Sequence, residues 1–236
     1  MICLYRLFAI TFLSLLSLST HAQLSAERAT LDPAQQMHYW QYLPDNYEAD
    51  TAARFPLVLF LHGGGEVGSD LELVKKHGLP KLIAQGQSFP FVMVAPQNPH
   101  NQLWDDALVM AVLDRVLATH RIDPRRVYLT GMSRGGFGTW RLAVQHPDRF
   151  AAIAPVCGGG LPDYAFRIKN VPVWAFHGAK DRAIPLSRTV EMVEALLAAG
   201  GNVKLTVYPE AEHDAWTPTY DNPALYTWLL GHTRAE

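Results

Sequence analysis

The amino-acid sequence predicts an α/β fold with a mostly parallel central sheet and helices on both of its faces. From Met37 onward, short apolar runs alternate with segments of helical periodicity, which is the pattern of strands connected by helices. Several of these runs are apolar on both faces, as buried parallel strands are. The length of 236 residues suits one large domain, and we expect residues 23–236 to form it.

The apolar runs that we predict to be strands are short and rich in β-branched, leucine and aromatic residues. Met37–Leu43 is expected to add an antiparallel strand before the others. The remaining strands are predicted at Leu57–Leu61, Phe91–Ala95, Val127–Thr130, Ala152–Val156, Val171–Phe176 and Val203–Tyr208.

The segments between these runs have the periodicity of amphipathic helices, with apolar residues recurring about every 3.6 positions. Gly200 and Gly201 follow one of them, as glycine does at helix C-termini. The predicted helices are Ala107–Leu117, Phe137–Val144, Leu186–Ala199 and Ala224–Leu230.

The first 22 residues have the layout of a secretory signal peptide. Arg6 precedes the apolar run Leu7–Leu18, and Thr20 and Ala22 occupy the small-residue positions of a cleavage site before Gln23. A buried helix or a membrane anchor is the alternative, but the run is shorter than the roughly 18 apolar residues that a membrane span needs. We therefore expect an exported protein, periplasmic or extracellular, without a stable membrane anchor.

The composition argues against two other classes of protein. Hydrophobic residues make up 49% of the chain and the net charge is −2, so a disordered chain is excluded. The 20 Lys and Arg are balanced by 22 Asp and Glu, so no nucleic-acid partner is expected. Cys157 is the one cysteine left after signal cleavage, and we expect it to pack as a small hydrophobe rather than form a disulfide.

The strongest chemical signal is the segment Gly131-Met132-Ser133-Arg134-Gly135, which lies between a predicted strand and a predicted helix. In that context, G-x-S-x-G predicts a strained turn that lifts the serine hydroxyl above the sheet edge as a nucleophile. The alternative is a Gly/Ser-rich turn that merely caps a helix. The flanking pattern favours the nucleophile.

A serine hydroxyl needs a base to accept its proton, and an acid to orient that base. His213 lies in the loop after the last predicted strand, and Asp181 follows the strand before it. Asp214 and Glu212 compete with Asp181 because they are close to His213 in sequence, but immediate chain neighbours usually point apart. We therefore predict Ser133 as nucleophile, His213 as base and Asp181 as orienting acid.

The other histidines of the ten in the chain have different expected roles. His62 and His177 each close a strand before a glycine, and we expect them to brace loops through hydrogen bonds. His77 is expected in an ordinary surface context, far from the strand ends, as are most of the rest.

The segment His62-Gly63-Gly64-Gly65 directly follows a predicted strand. Glycines let backbone N–H groups approach a substrate carbonyl, and we expect the N–H groups of Gly64 and Arg134 to form an oxyanion hole. A phosphate-binding loop is the alternative reading, but no Lys-Ser/Thr follows the glycines.

In their order along the chain, these motifs resemble the α/β-hydrolase superfamily. The similarity is to a group of secreted, capless carboxylesterases around the dienelactone hydrolases, polyester-depolymerase-like esterases and "predicted peptidases". Dienelactone hydrolase itself uses a cysteine nucleophile, so that activity is disfavoured here. The segments that carry the resemblance are 61–70 (LHGGGEVGSD), 95–106 (APQNPHNQLWDD), 131–136 (GMSRGG), 177–185 (HGAKDRAIP) and 210–216 (EAEHDAW).

The resemblance implies an α/β-hydrolase fold without a cap domain. It also implies a catalytic triad of Ser133, Asp181 and His213, which follow one another in the order of that superfamily. Gly64 and Arg134 correspond to its oxyanion donors.

The expected function is that of a serine carboxylesterase that acts through an acyl-enzyme. A serine peptidase of the prolyl-oligopeptidase type uses the same machinery and is the nearest alternative, and a non-catalytic binding protein on a hydrolase scaffold is the second. No HExxH, paired cysteines or close histidine cluster occurs, so neither a metal nor a cofactor is expected. Asp105 and Asp106 are expected to cap the following helix.

Two features of the predicted loops bear on the substrate. Only the 14 residues Cys157–Asn170 separate two strands where many α/β-hydrolases place a lid, so nothing larger than one short helix fits there. Trp104 and Trp216 fall on loops near Ser133, where they either flank a shallow cleft for an aryl or sugar group or pack partly into the core. We expect short-acyl or bulky aromatic esters, small or polymer-borne, and no interfacial activation.

Overall fold

A computed structural model describes residues 22–32, 35–99 and 102–235 of the chain. Apart from Ala22, the predicted signal peptide lies outside the described residues. Among the residues that are described, no helix is both long and apolar enough to cross a membrane.

The described strands form one sheet of eight strands in the order β1-β2-β4-β3-β5-β6-β7-β8. The pairs from β4 through β3 to β8 are parallel, whereas β1–β2 and β2–β4 are antiparallel. The predicted mostly parallel sheet, with an antiparallel strand before it, is therefore confirmed. The strands are β1 (Gln23–Asp32), β2 (Gln35–Leu43), β3 (Phe55–Leu61), β4 (Val92–Pro96), β5 (Ile122–Met132), β6 (Ala152–Val156), β7 (Val173–Gly178) and β8 (Val203–Tyr208).

Helices cover both faces of the sheet. Short 3-10 helices occur at Gly64–Glu66, Leu71–Lys76 and Pro162–Ile168. The α-helices are α1 (Gly78–Ala84), α2 (Asp106–Thr119), α3 (Arg134–Gln145), α4 (Ser187–Ala198), α5 (Trp216–Tyr220) and α6 (Pro223–Leu230).

The central strand β3 shows why a parallel sheet needs cover on both sides. All seven of its residues are buried, and successive side chains alternate between two hydrophobic clusters. Leu59 packs with the cluster formed under α2, α3 and α4, whereas Phe60 packs with the one under α1, α5 and α6. The carboxyl ends of the parallel strands, where Ser133 and Asp181 follow β5 and β7, lie between these two layers.

Among the described strands and α-helices, three were not predicted. Strand β1 is an edge strand with mostly polar or small residues, so its sequence lacks the apolar run of a buried strand. Helices α1 and α5 are short and contain Pro80 and Pro218, respectively. Each proline lies in the first turn, where its missing N–H costs the helix no hydrogen bond.

The connection between β6 and β7 is compact, as predicted. Within Cys157–Asn170, one 3-10 helix at Pro162–Ile168 is the element present. In the part of the chain that the structure describes, no cap domain covers the carboxyl ends of the strands.

Candidate active site

Ser133 lies on a strained turn between β5, which ends at Met132, and α3, which begins at Arg134. Its backbone has φ 54° and ψ −118°, a conformation that costs a non-glycine residue about 1–3 kcal/mol. The backbone N–H of Ser133 donates to the carbonyl of Val156 at 2.8 Å, which ties the turn to β6. The turn is the one that the G-x-S-x-G segment predicts.

The two glycines of this segment are required by close packing. A Cβ at Gly135 would lie 1.9 Å from the carbonyl oxygen of Leu61, at the end of β3. A Cβ at Gly131 would lie 2.5 Å from the carbonyl oxygen of Gly135. Any side chain at either position would therefore force α3 away from the sheet and move Ser133.

The structure brings the three predicted residues into one chain of hydrogen bonds. His213 Nε2 lies 2.9 Å from Ser133 Oγ, and His213 Nδ1 lies 2.7 Å from Asp181 Oδ2. The Asp181 side chain is fully buried, whereas 27% of the His213 side chain is exposed. The serine hydroxyl thus contacts a histidine that reaches solvent on one side and a buried carboxylate on the other.

Asp181 is held as a carboxylate by its surroundings. Its Oδ1 accepts hydrogen bonds from the backbone N–H groups of Ala183 and Ile184, both at 2.9 Å. Burial alone would raise the pKa of Asp181, but the hydrogen bonds from His213 and these N–H groups outweigh it and lower the pKa. An ionised Asp181 accepts a hydrogen bond from the Nδ1–H group of His213, which leaves Nε2 without a proton and able to accept the one from Ser133.

His177 braces the loop that carries Asp181, as the sequence predicts. Its Nδ1 lies 2.7 Å from the hydroxyl of Thr189, and its Nε2 lies 2.9 Å from the carbonyl oxygen of Ile184. The same Nε2 is 3.2 Å from Asp181 Oδ2, with both side chains fully buried. The carboxylate is thereby fixed from two sides.

The rival acids lie elsewhere. Asp214 is exposed, and its carboxylate accepts from the backbone N–H of Thr217 at 3.0 Å and from the Thr217 hydroxyl at 2.9 Å. This interaction belongs to the start of α5. Glu212 is exposed as well, and neither carboxylate is the hydrogen-bond partner of His213.

The glycine segment after β3 lies against the serine turn. A Cβ at Gly63 would be 3.6 Å from Ser133 Cβ, and a Cβ at Gly64 would be 3.3 Å from Nη2 of Arg134. His62 holds this segment, since its Nε2 accepts from the backbone N–H of Asn98 at 2.9 Å and its Nδ1 donates to the carbonyl of Gly63 at 2.7 Å. Gly64 therefore lies against the side chain of Arg134, and both residues predicted to supply oxyanion donors are close to Ser133.

His62 makes the stability of the fold depend on pH. Its burial lowers its pKa from 6.5 to about 4. The folded state therefore binds this proton less readily than the unfolded state does. The contribution of His62 is complete above about pH 6.5 and is lost as the pH falls toward 4, by about 3 kcal/mol at most.

We expect the free energy of unfolding of the wild type to fall more steeply from pH 7 to pH 4 than that of His62→Gln. The variant is expected to be less stable at pH 7, because the hydrogen bonds of His62 are disturbed. Glutamine does not titrate, so the unfolded variant takes up no proton at this position as the pH falls. Urea unfolding at a series of pH values measures the difference between the two chains. Parallel pH profiles would contradict the assignment.

A cavity of about 320 Å³ opens directly onto the serine and histidine. Two of its residues, Glu66 and His77, were not predicted as part of the site. Glu66 is 4% exposed; its burial raises the pKa of the carboxyl group, and His77 opposes that rise. The position of Glu66 directly after the three glycines is the sequence signal that could have identified Glu66 as part of the site. The lining residues are Gly63, Gly64, Gly65, Glu66, His77, Met132, Ser133, His213 and Trp216.

The two tryptophans proposed for substrate binding line separate cavities instead of flanking one cleft. Trp216 lines the serine cavity, with its ring edge-on to that of His213 at 5.1 Å between centroids. Trp104 is 3% exposed and packs against His62 with a ring distance of 4.7 Å. It also lines a second cavity of about 470 Å³, to which Arg134 contributes. Trp104 thus belongs to the core as well as to a cavity wall.

One group of side chains within the described residues has the spacing of a metal site. Ligand atoms of Cys157, Asp181 and His213 lie within 4.8 Å of one another. The Cys157 thiol donates to the carbonyl oxygen of His213 at 3.3 Å, and burial raises the pKa of this thiol to about 12. A thiol that stays protonated is a poor metal ligand, and Asp181 and His213 are already paired with each other. Asp105, by contrast, caps α2 as predicted, accepting from the N–H of Leu108 at 3.0 Å.

The mostly parallel sheet, its helices on both faces and a serine on a strained turn at the carboxyl end of β5 define an α/β-hydrolase fold. Residues 32–208 match the model of the family named Esterase, described as "Putative esterase". The chain belongs to this family, and the resemblance that the sequence motifs indicate is confirmed.

Individual relatives agree with this placement. The chain is 30% identical to a thermostable esterase of known structure, with a TM-score of 0.76 over 89% of this chain and 63% of the other. It is 28% identical over 198 residues to the bifunctional acetylxylan esterase/xylanase XynS20E of Neocallimastix patriciarum, covering 79% of this chain and 27% of that protein. The acylaminoacyl peptidase of Pyrococcus horikoshii shares the fold, with 15% identity and a TM-score of 0.67 over 92% of this chain and 42% of the other.

The chain spans between about a quarter and about half of the length of the first curated relatives that it matches.

Proposed function

We propose that this protein is a serine carboxylesterase. The observation that carries the proposal is the hydrogen-bonded chain from Ser133 Oγ through His213 to the buried carboxylate of Asp181. Membership of an esterase family supports the same reaction. A binding protein on a hydrolase scaffold would have no need of a strained serine aligned with a histidine and an acid.

In the first half of the reaction, Ser133 Oγ attacks the ester carbonyl while His213 Nε2 takes its proton. Asp181 stabilises the imidazolium that forms. The negative charge that develops on the carbonyl oxygen is stabilised by the backbone N–H groups of Gly64 and Arg134. The tetrahedral intermediate collapses as His213 returns the proton to the departing alcohol.

In the second half, water hydrolyses the acyl-enzyme by the same steps. His213 takes a proton from the water molecule, hydroxide adds to the acyl carbonyl, and Ser133 leaves with the proton that His213 returns. The products are the free acid, the alcohol and the unchanged enzyme. Each step uses residues that are already in contact, so the scheme needs no metal ion or cofactor.

Open access to the site supports short-acyl or bulky aromatic esters as substrates, including esters carried by a polymer. The connection after β6 contributes one 3-10 helix to the rim, and both cavities open to solvent. The similarity to an acetylxylan esterase is in keeping with a polymer-borne ester. A site of this kind lacks the enclosure that grips long acyl chains.

The acyl preference can be measured with p-nitrophenyl esters of increasing chain length and with emulsified triglycerides. We expect kcat/KM to be highest for acetate and butyrate esters and for aryl esters. We also expect no jump in rate above the solubility limit of a triglyceride. A steep preference for long-chain triglycerides, with such a jump, would show that a lid covers the site.

Peptide hydrolysis is the second candidate function, because the fold is shared with an acylaminoacyl peptidase and the proposed machinery is common to both reactions. Peptide p-nitroanilides measured beside the esters separate the two. We expect ester hydrolysis to exceed peptide hydrolysis, and the opposite ranking would make the protein a peptidase.

We also propose that residues 1–22 direct export and are removed before Gln23. Support comes from the charge, the apolar run and the small residues of that segment. The N-terminal sequence of the protein recovered from outside the cytoplasm tests this: we expect it to begin at Gln23. Recovery from the cytoplasm with residues 1–22 still attached would contradict it.

A further inference from the structure

We propose that the second cavity, called here the arginine-rimmed cavity, binds the acyl half of esters whose acid is aromatic and carries a second, free carboxylate. The substrates of this class are half-esters of aromatic dicarboxylic acids. The inference rests on the proposed esterase function and names the substrate that the site favours. The cavity measures about 470 Å³ and extends from Arg134, directly after Ser133, to Arg167 and Arg188.

The charge of the lining is the first observation. Arg134, Arg141, Arg167 and Arg188 line the cavity, and among the described residues no carboxylate side chain does. A cavity that gathers guanidinium groups without acids attracts an anion, and a guanidinium binds a carboxylate in a bidentate manner.

The arginines differ in how far their charge is already compensated. Arg141 is held inside the structure by Asp106 at 2.5 Å and by the carbonyl of Trp104. Arg188 is exposed and has a single surface ion pair, 3.1 Å long, with Glu191 one turn along α4. Arg167 is exposed, and its side chain has no hydrogen bond or ion pair with any residue that the structure describes. Exposed pairs are weak, so Arg167 and Arg188 can both turn to a ligand carboxylate.

The interior of the cavity is aromatic. Phe137, Trp140 and Trp104 line it, and Gly138 lets the Trp104 ring pack closely against α3, since a Cβ at that position would lie 2.9 Å from the ring. Flat apolar walls of this kind suit an aromatic ring.

The position of His213 indicates which half of the ester lies here. The departing alcohol oxygen has to receive its proton from His213, so the alcohol half lies in the serine cavity, beside His213 and Trp216. None of the described residues from the loop between β8 and α5 lines the arginine-rimmed cavity. Arg134, the residue directly after Ser133, does line that cavity, and we therefore place the acyl half there.

The substrate test compares two methyl esters of the same size. Monomethyl benzene-1,4-dicarboxylate carries the free carboxylate, and methyl 4-carbamoylbenzoate replaces it with a neutral amide. We expect kcat/KM of the wild type to be about tenfold higher for the anionic ester, since two partly exposed arginine contacts contribute to the difference. In the double variant Arg167→Gln/Arg188→Gln, this ratio falls to about one.

Arg28→Gln is the matched control. Arg28 is an exposed arginine on the edge strand β1, and it lines neither cavity. Its loss changes the net charge of the protein in the same direction as the double variant does. We expect the control to keep the wild-type ratio, which would show that the preference is local to the cavity. An equal effect of Arg28→Gln and the cavity variants would contradict the proposal.

A binding measurement separates this inference from the proposed catalysis. In Ser133→Ala, benzene-1,4-dicarboxylate is titrated while tryptophan fluorescence is followed, because Trp104 and Trp140 line the cavity. We expect saturable quenching in Ser133→Ala. The apparent Kd should be at least tenfold higher when Arg167 and Arg188 are also replaced by Gln.

The two experiments fail in different ways. Arginine-dependent binding in Ser133→Ala without ester turnover by the wild type would overturn the esterase function and leave the anion-binding cavity. Turnover of both methyl esters at equal rates, without arginine-dependent binding, would overturn the cavity assignment and leave the esterase function. Thermal unfolding of each variant shows whether it is folded. We expect the arginine variants to fold, because both replaced side chains are exposed at the surface.

Discussion

Replacing Ser133 or His213 by alanine is expected to lower ester turnover by a factor of about 10⁴ or more, and the double variant is expected to lose no more than either single variant. Residues that act as one unit show this non-additive behaviour, because each loss removes the whole nucleophilic step. In the proposed mechanism this step depends on the hydrogen bond of 2.9 Å between His213 Nε2 and Ser133 Oγ. Initial rates with p-nitrophenyl acetate measure the loss.

Ser187→Ala is the control for the serine variant. Ser187 is exposed at the start of α4 and lines neither cavity, so its substitution is expected to leave the rate unchanged. Thermal unfolding should show that all of these variants remain folded. Wild-type turnover by Ser133→Ala would rule out the proposed mechanism.

Asp181→Asn is expected to lower turnover by roughly 10⁴-fold, the loss seen when the orienting acid of a serine hydrolase is neutralised. The Asn amide can donate to Nδ1 of His213 in place of the carboxylate, which would put the histidine proton on Nε2 and remove the base. The backbone N–H groups of Ala183 and Ile184 require an acceptor at the position of Oδ1, so the amide oxygen stays there and the NH₂ group faces His213.

Asp214→Asn is the matched comparison, since it is the same substitution next to the same histidine. Asp214 bonds to Thr217 at the start of α5, and an Asn side chain can still accept there. We expect less than about a threefold change in kcat, in line with a surface substitution that leaves its local hydrogen bond in place. A larger loss in Asp214→Asn than in Asp181→Asn would exchange the roles of the two acids.

The fold could be predicted to the extent that its elements have buried, periodic sequences. Strand β3 and strand β6 are apolar on both faces, and both were predicted within two residues of their observed bounds. Strand β1 could not be, because an edge strand buries little of its surface and needs no apolar run. Helix α3 begins at Arg134, three residues before its predicted start, because the strained turn at Ser133 leads directly into it.

The predicted site residues come from the ends of strands, and parallel strands place their carboxyl ends at one edge of the sheet. That rule led to the prediction that Asp181 and His213 lie close together, and their side chains are 2.7 Å apart. It could not identify Glu66 or His77, because neither lies at a strand end and the path of the loop between β3 and α1 is not encoded in any periodicity.

The arginine-rimmed cavity was beyond sequence reasoning for a related reason. Its walls come from α3, from the loop before α2, from the connection after β6 and from the start of α4. Segments so far apart in sequence share no motif, and Arg167 and Arg188 each look like ordinary surface arginines until the fold brings them together. Trp104 was expected near the opening, but its burial depends on the ring of His62 beside it.

The most direct test of the central claim is the mass of the protein after reaction with a fluorophosphonate, which reacts with an activated serine as fluoride leaves. We expect one adduct per chain, located on the peptide that contains Ser133, with esterase activity lost in proportion to the label. Ser133→Ala should remain unlabelled, and His213→Ala should be labelled far more slowly. Stoichiometric labelling of another residue, or full activity in a chain labelled at Ser133, would contradict the account.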